Sequence, residues 1–214
     1  MDVHRRFLLK SGYYGGILAT LIFIFSLLFS YIQILLYYPS FNPFENWMSE
    51  LGVGPYGIIF NFSVMISSIL LAVFFTTLLF RLKKEEQNAT ISNLCLLSGY
   101  ISVLGLFLIG LFPMNDIGQN NFFHGMAALI YWAGSFTFWG LLSSIINKNA
   151  HFQKWKQLIV LLTLFSWILF LISFLGPLFI PLVEESFPII FQWNAHVFNF
   201  ISIGMLIKYV KDSV

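Results

Sequence analysis

The side chains that could do chemistry in this chain are few, and they recur at helical spacing. Gln192, His196, Asn199 and Ser202 fall at i, i+4, i+7 and i+10, so a helix places them on one face. His124, Ala127, Ala128, Tyr131 and Ser135 make a second stripe of small and polar groups, and Asn61 and Ser68 a third. Each stripe interrupts an otherwise apolar run, where a polar group costs free energy and marks a candidate site. Histidine is a general acid or base and, with carboxylates, a metal ligand. His124 and His196, with Glu50 or Asp116 as acid, base or further ligand, are therefore the candidate catalytic residues. The same two histidines are the candidate ligands of a divalent metal such as zinc. Ser49, Asn61, Tyr131, Gln192 and Asn199 are the candidate ligand-binding residues. Each also has a plainer reading. Interhelical hydrogen bonds, a helix start for His124, a solvated loop for Asp116 and the polar side of a surface helix for Glu50 would account for the same residue types. The chain lacks a His-Glu-x-x-His motif, a phosphate-binding glycine loop, a nucleophile elbow and a Cys-x-x-Cys pair.

The elements that must position these groups follow from composition. Of 214 residues, 58% are hydrophobic and 9% charged, and there is one cysteine, Cys95. Soluble domains carry roughly 25% charged residues. A net charge of +2 offers no basic field for nucleic acid. A bilayer core of about 30 Å needs about 20 apolar residues per helix. Six segments meet that need, at about 12–38, 56–80, 93–113, 122–146, 157–180 and 189–208. The fold class expected is an all-α membrane protein, a single six-transmembrane-helix bundle spanning residues 1–214.

Orientation follows from the basic residues. All 11 Lys and Arg precede the first segment, lie between the second and third or the fourth and fifth, or close the sixth. The connections 39–55, 114–121 and 181–188 hold none, but carry Glu45, Glu50, Asp116, Glu184 and Glu185. Both termini are therefore expected in the cytoplasm, with the protein integral and multi-pass in the cell membrane. His124, His196, Asn61 and Gln192 then fall in the outer half, where they imply a polar pocket.

The first outer connection carries its own pattern. Asn42-Pro43-Phe44-Glu45 has the capping-box arrangement, and Phe44, Trp47, Met48 and Leu51 repeat at i, i+3, i+4 and i+7. That pattern predicts a short amphipathic interfacial helix over 43–51. Phe112-Pro113 and Phe187-Pro188 both lead to an Asn shortly before a His, a weak hint of internal repetition.

The segment Asn46-Trp47-Met48-Ser49-Glu50-Leu51-Gly52-Val53-Gly54-Pro55, running into Phe60-Asn61, resembles the first-loop signature of the prokaryotic membrane family called domain of unknown function 998. Phe112-Pro113, followed by His124, resembles it too. More distantly the chain is similar to the damage-regulated autophagy modulator and Sfk group. The resemblance implies Ser49, Glu50, Gly52, Asn61, Pro113 and His124 as characteristic positions. It implies no reaction, although the distant group includes proteins of lipid handling. Three functions are therefore open at this point. The first is binding of a membrane lipid headgroup or small amphiphile in the outer-leaflet pocket. The second is an intramembrane hydrolase or acyl transferase acting on lipid, possible as a metal-dependent enzyme. The third is a small transporter.

Overall fold

In the computed structural model the chain is all helical, and the structure describes residues 3–83, 89–118, 121–148, 152–179 and 186–212. Lys84, Glu184 and Glu185, used above to orient the chain, lie outside these residues. The helices are α1 (Val3–Tyr37), α2 (Gly57–Leu82), α3 (Ala89–Leu111), α4 (Phe122–Lys148), α5 (Lys154–Phe179) and α6 (Ser186–Lys211). All six are long and apolar enough to cross a membrane. They overrun the expected segments at the ends that carry Lys and Arg, most of all α1, which begins at Val3. Hydropathy marks the slab a helix crosses, whereas helices continue past it for as long as side chains pack. Leu9 is fully buried, and Thr77 Oγ1 donates to the Leu8 carbonyl at 3.1 Å.

Each helix packs on the next, and α6 returns to α1, so the six close into a ring. Because successive helices run the length of the bundle, connections alternate between its ends. The described Lys and Arg gather at one end, here the basic end; the connection 38–56 and residues 112–118 form the acidic end. Large apolar side chains such as Leu21, Phe25, Leu28 and Ile32 on α1 point outward and are exposed, as a lipid-facing surface requires. The polar stripes read from the sequence turn inward: Asn61, Ser68, His124, Tyr131, Ser135, Gln192, His196, Asn199 and Ser202 are all buried.

The α3–α4 seam is a close backbone approach. A Cβ on Gly105 would stand 2.2 Å from the Tyr131 nitrogen, and one on Gly134 2.3 Å from the Ser102 nitrogen. Only glycine lets the two backbones meet there. Ser102 and Ser135 hydroxyls bond across the seam at 2.7 Å.

The expected helix over 43–51 is not formed. A turn at 43–45 leads to a short 3-10 helix, Met48–Gly52, whose Met48, Glu50, Leu51 and Gly52 are buried. Asn42 Oδ1 accepts from Phe44 N at 3.1 Å, making an Asx turn. The reach back to Asn42 N comes from Asn46 Oδ1 at 2.9 Å, not from Glu45. Local bonds of this kind offer the backbone an alternative to the helix, and a nine-residue helix is too short to resist them and the distant ties described below. The Phe-Pro pairs also differ. Phe112-Pro113 follows the end of α3, while Phe187-Pro188, expected in a connection, lies in the first turn of α6, where proline is tolerated. No repeat unit is visible in them.

Candidate functional site

His124 is placed by the start of α4. Asn121, just before the helix, accepts from the His124 backbone N–H at 2.7 Å, the bond of an N-cap. Its amide also donates to the Pro113 carbonyl at 2.7 Å, drawing the α3–α4 connection over the helix start. His124 Nδ1 lies 2.8 Å from the Phe112 carbonyl. A carbonyl only accepts, so Nδ1 carries the proton. In the neutral ring Nε2 is then a lone-pair acceptor, and no described residue bonds it.

On α6 the inward face meets α4 and α5. His196 Nδ1 donates to the Gln192 carbonyl at 2.8 Å, which leaves Nε2 to accept from the Tyr131 hydroxyl at 3.3 Å. Both ring nitrogens are thus engaged. Asn199 Oδ1 accepts from Trp167 Nε1 at 3.0 Å, and Ser202 pairs with Thr163 at 2.6 Å. These α5 partners were not singled out from the sequence. They sit in an unbroken apolar run, and only their spacing opposite α6 would have found them.

The first connection is a lid tied down by distant residues. Trp193 Nε1 donates to the Asn46 carbonyl at 3.0 Å, and Met48 N to Gln192 Oε1 at 3.2 Å. Asn61 Nδ2 holds the Gly52 carbonyl at 2.9 Å. Glu50 fastens this lid to the second connection. Its Oε2 accepts from Asn46 Nδ2 at 2.6 Å, and its Oε1 from Gly118 N at 3.3 Å. Burial pushes the Glu50 carboxyl above its ordinary value, while those hydrogen bonds pull the other way. Ser49 Oγ adds a contact to Met114 Sδ at 3.2 Å.

Beneath the lid lies a cavity of about 500 Å³, the size of ordinary small-molecule sites. All six helices contribute to it: Phe23 from α1, Phe60 and Val64 from α2, Leu106 from α3, Tyr131 from α4, Phe174 from α5 and Gln192 from α6. Trp47 and Trp132, with ring centroids 6.5 Å apart, and Phe174, 4.8 Å from Trp132, make an aromatic wall. Of the residues singled out from the sequence, Ser49, His124, Tyr131, Gln192 and His196 line this cavity. Asn199 lines a hollow of about 40 Å³ behind Tyr131 and His196. Glu50 and Asn61 are spent on holding the lid. Asp116 is exposed and caps its own neighbour, accepting from Ile117 N at 2.8 Å. No group of three His, Cys, Asp or Glu that could hold a metal ion occurs among the described residues. Nor does either histidine bond a serine or a carboxylate there.

On α4, Phe122, Gly125, Met126 and Leu129 line the cavity, and Phe122, Met126 and Leu129 are also exposed on the outer face. At Gly125 an added Cβ would meet nothing within 4 Å. The cavity thus opens sideways through the apolar belt along this stripe. No curated protein matches the chain, and no solved structure matches it. The family model described as "Protein of unknown function (DUF998)" covers residues 17–206, nearly the whole six-helix ring and its lid, and the chain belongs to that family.

Proposed function

We propose that this protein binds a membrane amphiphile in the cavity at its acidic end, with the head beneath the lid and the tail leaving through the α4 stripe. By the positive-inside rule the basic end is cytoplasmic, together with both termini, and the cavity belongs to the outer leaflet of the cell membrane. The observation that carries the reading is the cavity itself. A mostly apolar space walled by all six helices, with a few inward polar atoms and a side opening into the lipid belt, suits a molecule that is part head and part tail. His196 Nε2 accepts from the Tyr131 hydroxyl, but among the described residues neither histidine bonds a serine or a carboxylate, the pairing that hydrolysis or acyl transfer commonly uses. Binding therefore accounts for more of the geometry than catalysis does.

Native mass spectrometry of the protein released from its membrane tests this. The wild type is expected to retain a bound amphiphile. Gly125→Trp, at a position where an added Cβ meets nothing within 4 Å, is expected to block the mouth and lose it while folding normally. A wild-type spectrum free of any bound mass would contradict the proposal.

A further inference from the structure

Resting on that reading, we infer that the ligand's head is uncharged and carries a hydroxyl, held between His124 Nε2 as acceptor and the Gln192 side-chain amide as donor. Gln192 Oε1 must face the Met48 N–H, so its NH₂ is the other end of the group, and no described residue accepts from it. His124 and Gln192 are 3% and 7% exposed, and both line the cavity. Among the described residues the fully buried side-chain polar atoms lacking a partner are Ser30 Oγ and Ser92 Oγ. His124 Nε2 and the Gln192 amide, which also lack one, therefore keep a surface, and the space beside them is the cavity. One lone pair and one N–H pair, both neutral, complement a hydroxyl, which donates once and accepts twice. His196 does not compete for this head, because Tyr131 and the Gln192 carbonyl take both its nitrogens.

The surroundings argue against a phosphate head. No Lys or Arg occurs in residues 11–80, 85–147 or 157–207, so every stretch of chain at the acidic end lacks a cation. Along α6, Lys208 lies twelve residues from His196, about 18 Å at 1.5 Å per residue. On α1, Lys10 lies thirteen residues from Phe23, about 20 Å by the same rise. The α4 N-terminus borders the cavity and could stand in for a cation, but Asn121 already caps it by accepting from the His124 N–H. The Gly118 N–H is likewise taken, by Glu50, whose carboxylate would itself repel an anion. An anionic head would enter a buried space with nothing to pair it. The inferred class is thus a neutral hydroxyl lipid of the monoacylglycerol kind.

The test uses the full chain in phosphatidylcholine nanodiscs and two probes with the same brominated tail, a monoacylglycerol and a lysophosphatidic acid. Bromine quenches tryptophan on contact, and Trp47 and Trp132 stand in the cavity wall. Quenching beyond that of brominated phosphatidylcholine is expected for the monoacylglycerol, at about tenfold lower concentration than for its phosphate twin. His124→Asn keeps a donor for the Phe112 carbonyl but removes the Nε2 acceptor. Gln192→Glu keeps an acceptor for the Met48 N–H but removes the amide donor. Each is expected to weaken monoacylglycerol binding about fivefold or more. Equal or tighter binding of the phosphate probe, or wild-type affinity in both variants, overturns the head-group assignment while leaving amphiphile binding intact. Absence of saturable quenching by either probe, together with an empty native spectrum, removes both.

Discussion

The α3–α4 seam and the cavity share one helix, α4, yet they treat polar groups in opposite ways. In the seam, glycines bring backbones together and the polar atoms pair with each other, Ser102 with Ser135. Nothing is left to bind. Two to three turns nearer the acidic end, the cavity opens beside the same helix. There the polar groups are fixed through one atom and open at another: His124 by Nδ1, Gln192 by Oε1. The difference separates polar residues that hold a bundle together from those that hold something else. A buried polar residue in a membrane helix is informative when its second atom has no partner.

Substitutions can break this contrast. The largest effect is expected at Gly134. Gly134→Leu drives a side chain into the Ser102 backbone and should cost about 3 kcal/mol, read by thermal unfolding in detergent. Gly125→Leu, on the same helix but at the cavity mouth, should stay within about 0.5 kcal/mol. Equal losses at the two sites would erase the distinction. Next comes the lid. Glu50→Ala leaves Asn46 Nδ2 and Gly118 N–H without an acceptor and should cost about 2 kcal/mol. Because burial raises the Glu50 carboxyl, the folded state holds its proton more tightly than the unfolded chain. Its contribution is full below the unfolded value and is lost as pH rises through the raised folded one. Melting followed against pH should show that fall in the wild type and a flatter profile in Glu50→Gln. Identical slopes would mean that Glu50 is not desolvated. A smaller loss than at the lid is expected at Ser102→Ala, about 0.6 kcal/mol for one interhelical bond.

The six helices and their inward faces were legible because charge-free runs and a helical period are local properties. Gln192, His196, Asn199 and Ser202 announce one face of α6 whatever packs against it. Asn121 three residues before His124 was legible as a pair, although its role as the helix cap needed the carbonyls of Phe112 and Pro113 to be seen nearby. The first connection was misread because its apolar spacing fits an amphipathic helix equally well. What decides its shape is Gln192, Trp193 and Asn61, of which the first two lie more than 140 residues away in the chain. For the same reason Glu50 reads as a surface charge in sequence and is 2% exposed in the fold. The cavity's aromatic wall left no trace at all, since Trp47, Trp132 and Phe174 come from three separate stretches of an aromatic-rich chain.

The most direct test is photocrosslinking in the native membrane with a monoacylglycerol carrying a diazirine in its tail. Adducts are expected on the cavity wall, at Tyr131, Trp132 and Phe174, and should be displaced by excess unlabelled monoacylglycerol. Adducts confined to outward side chains of α1 such as Leu21, Phe25 and Leu28, and unaffected by competitor, would contradict a binding site inside the ring.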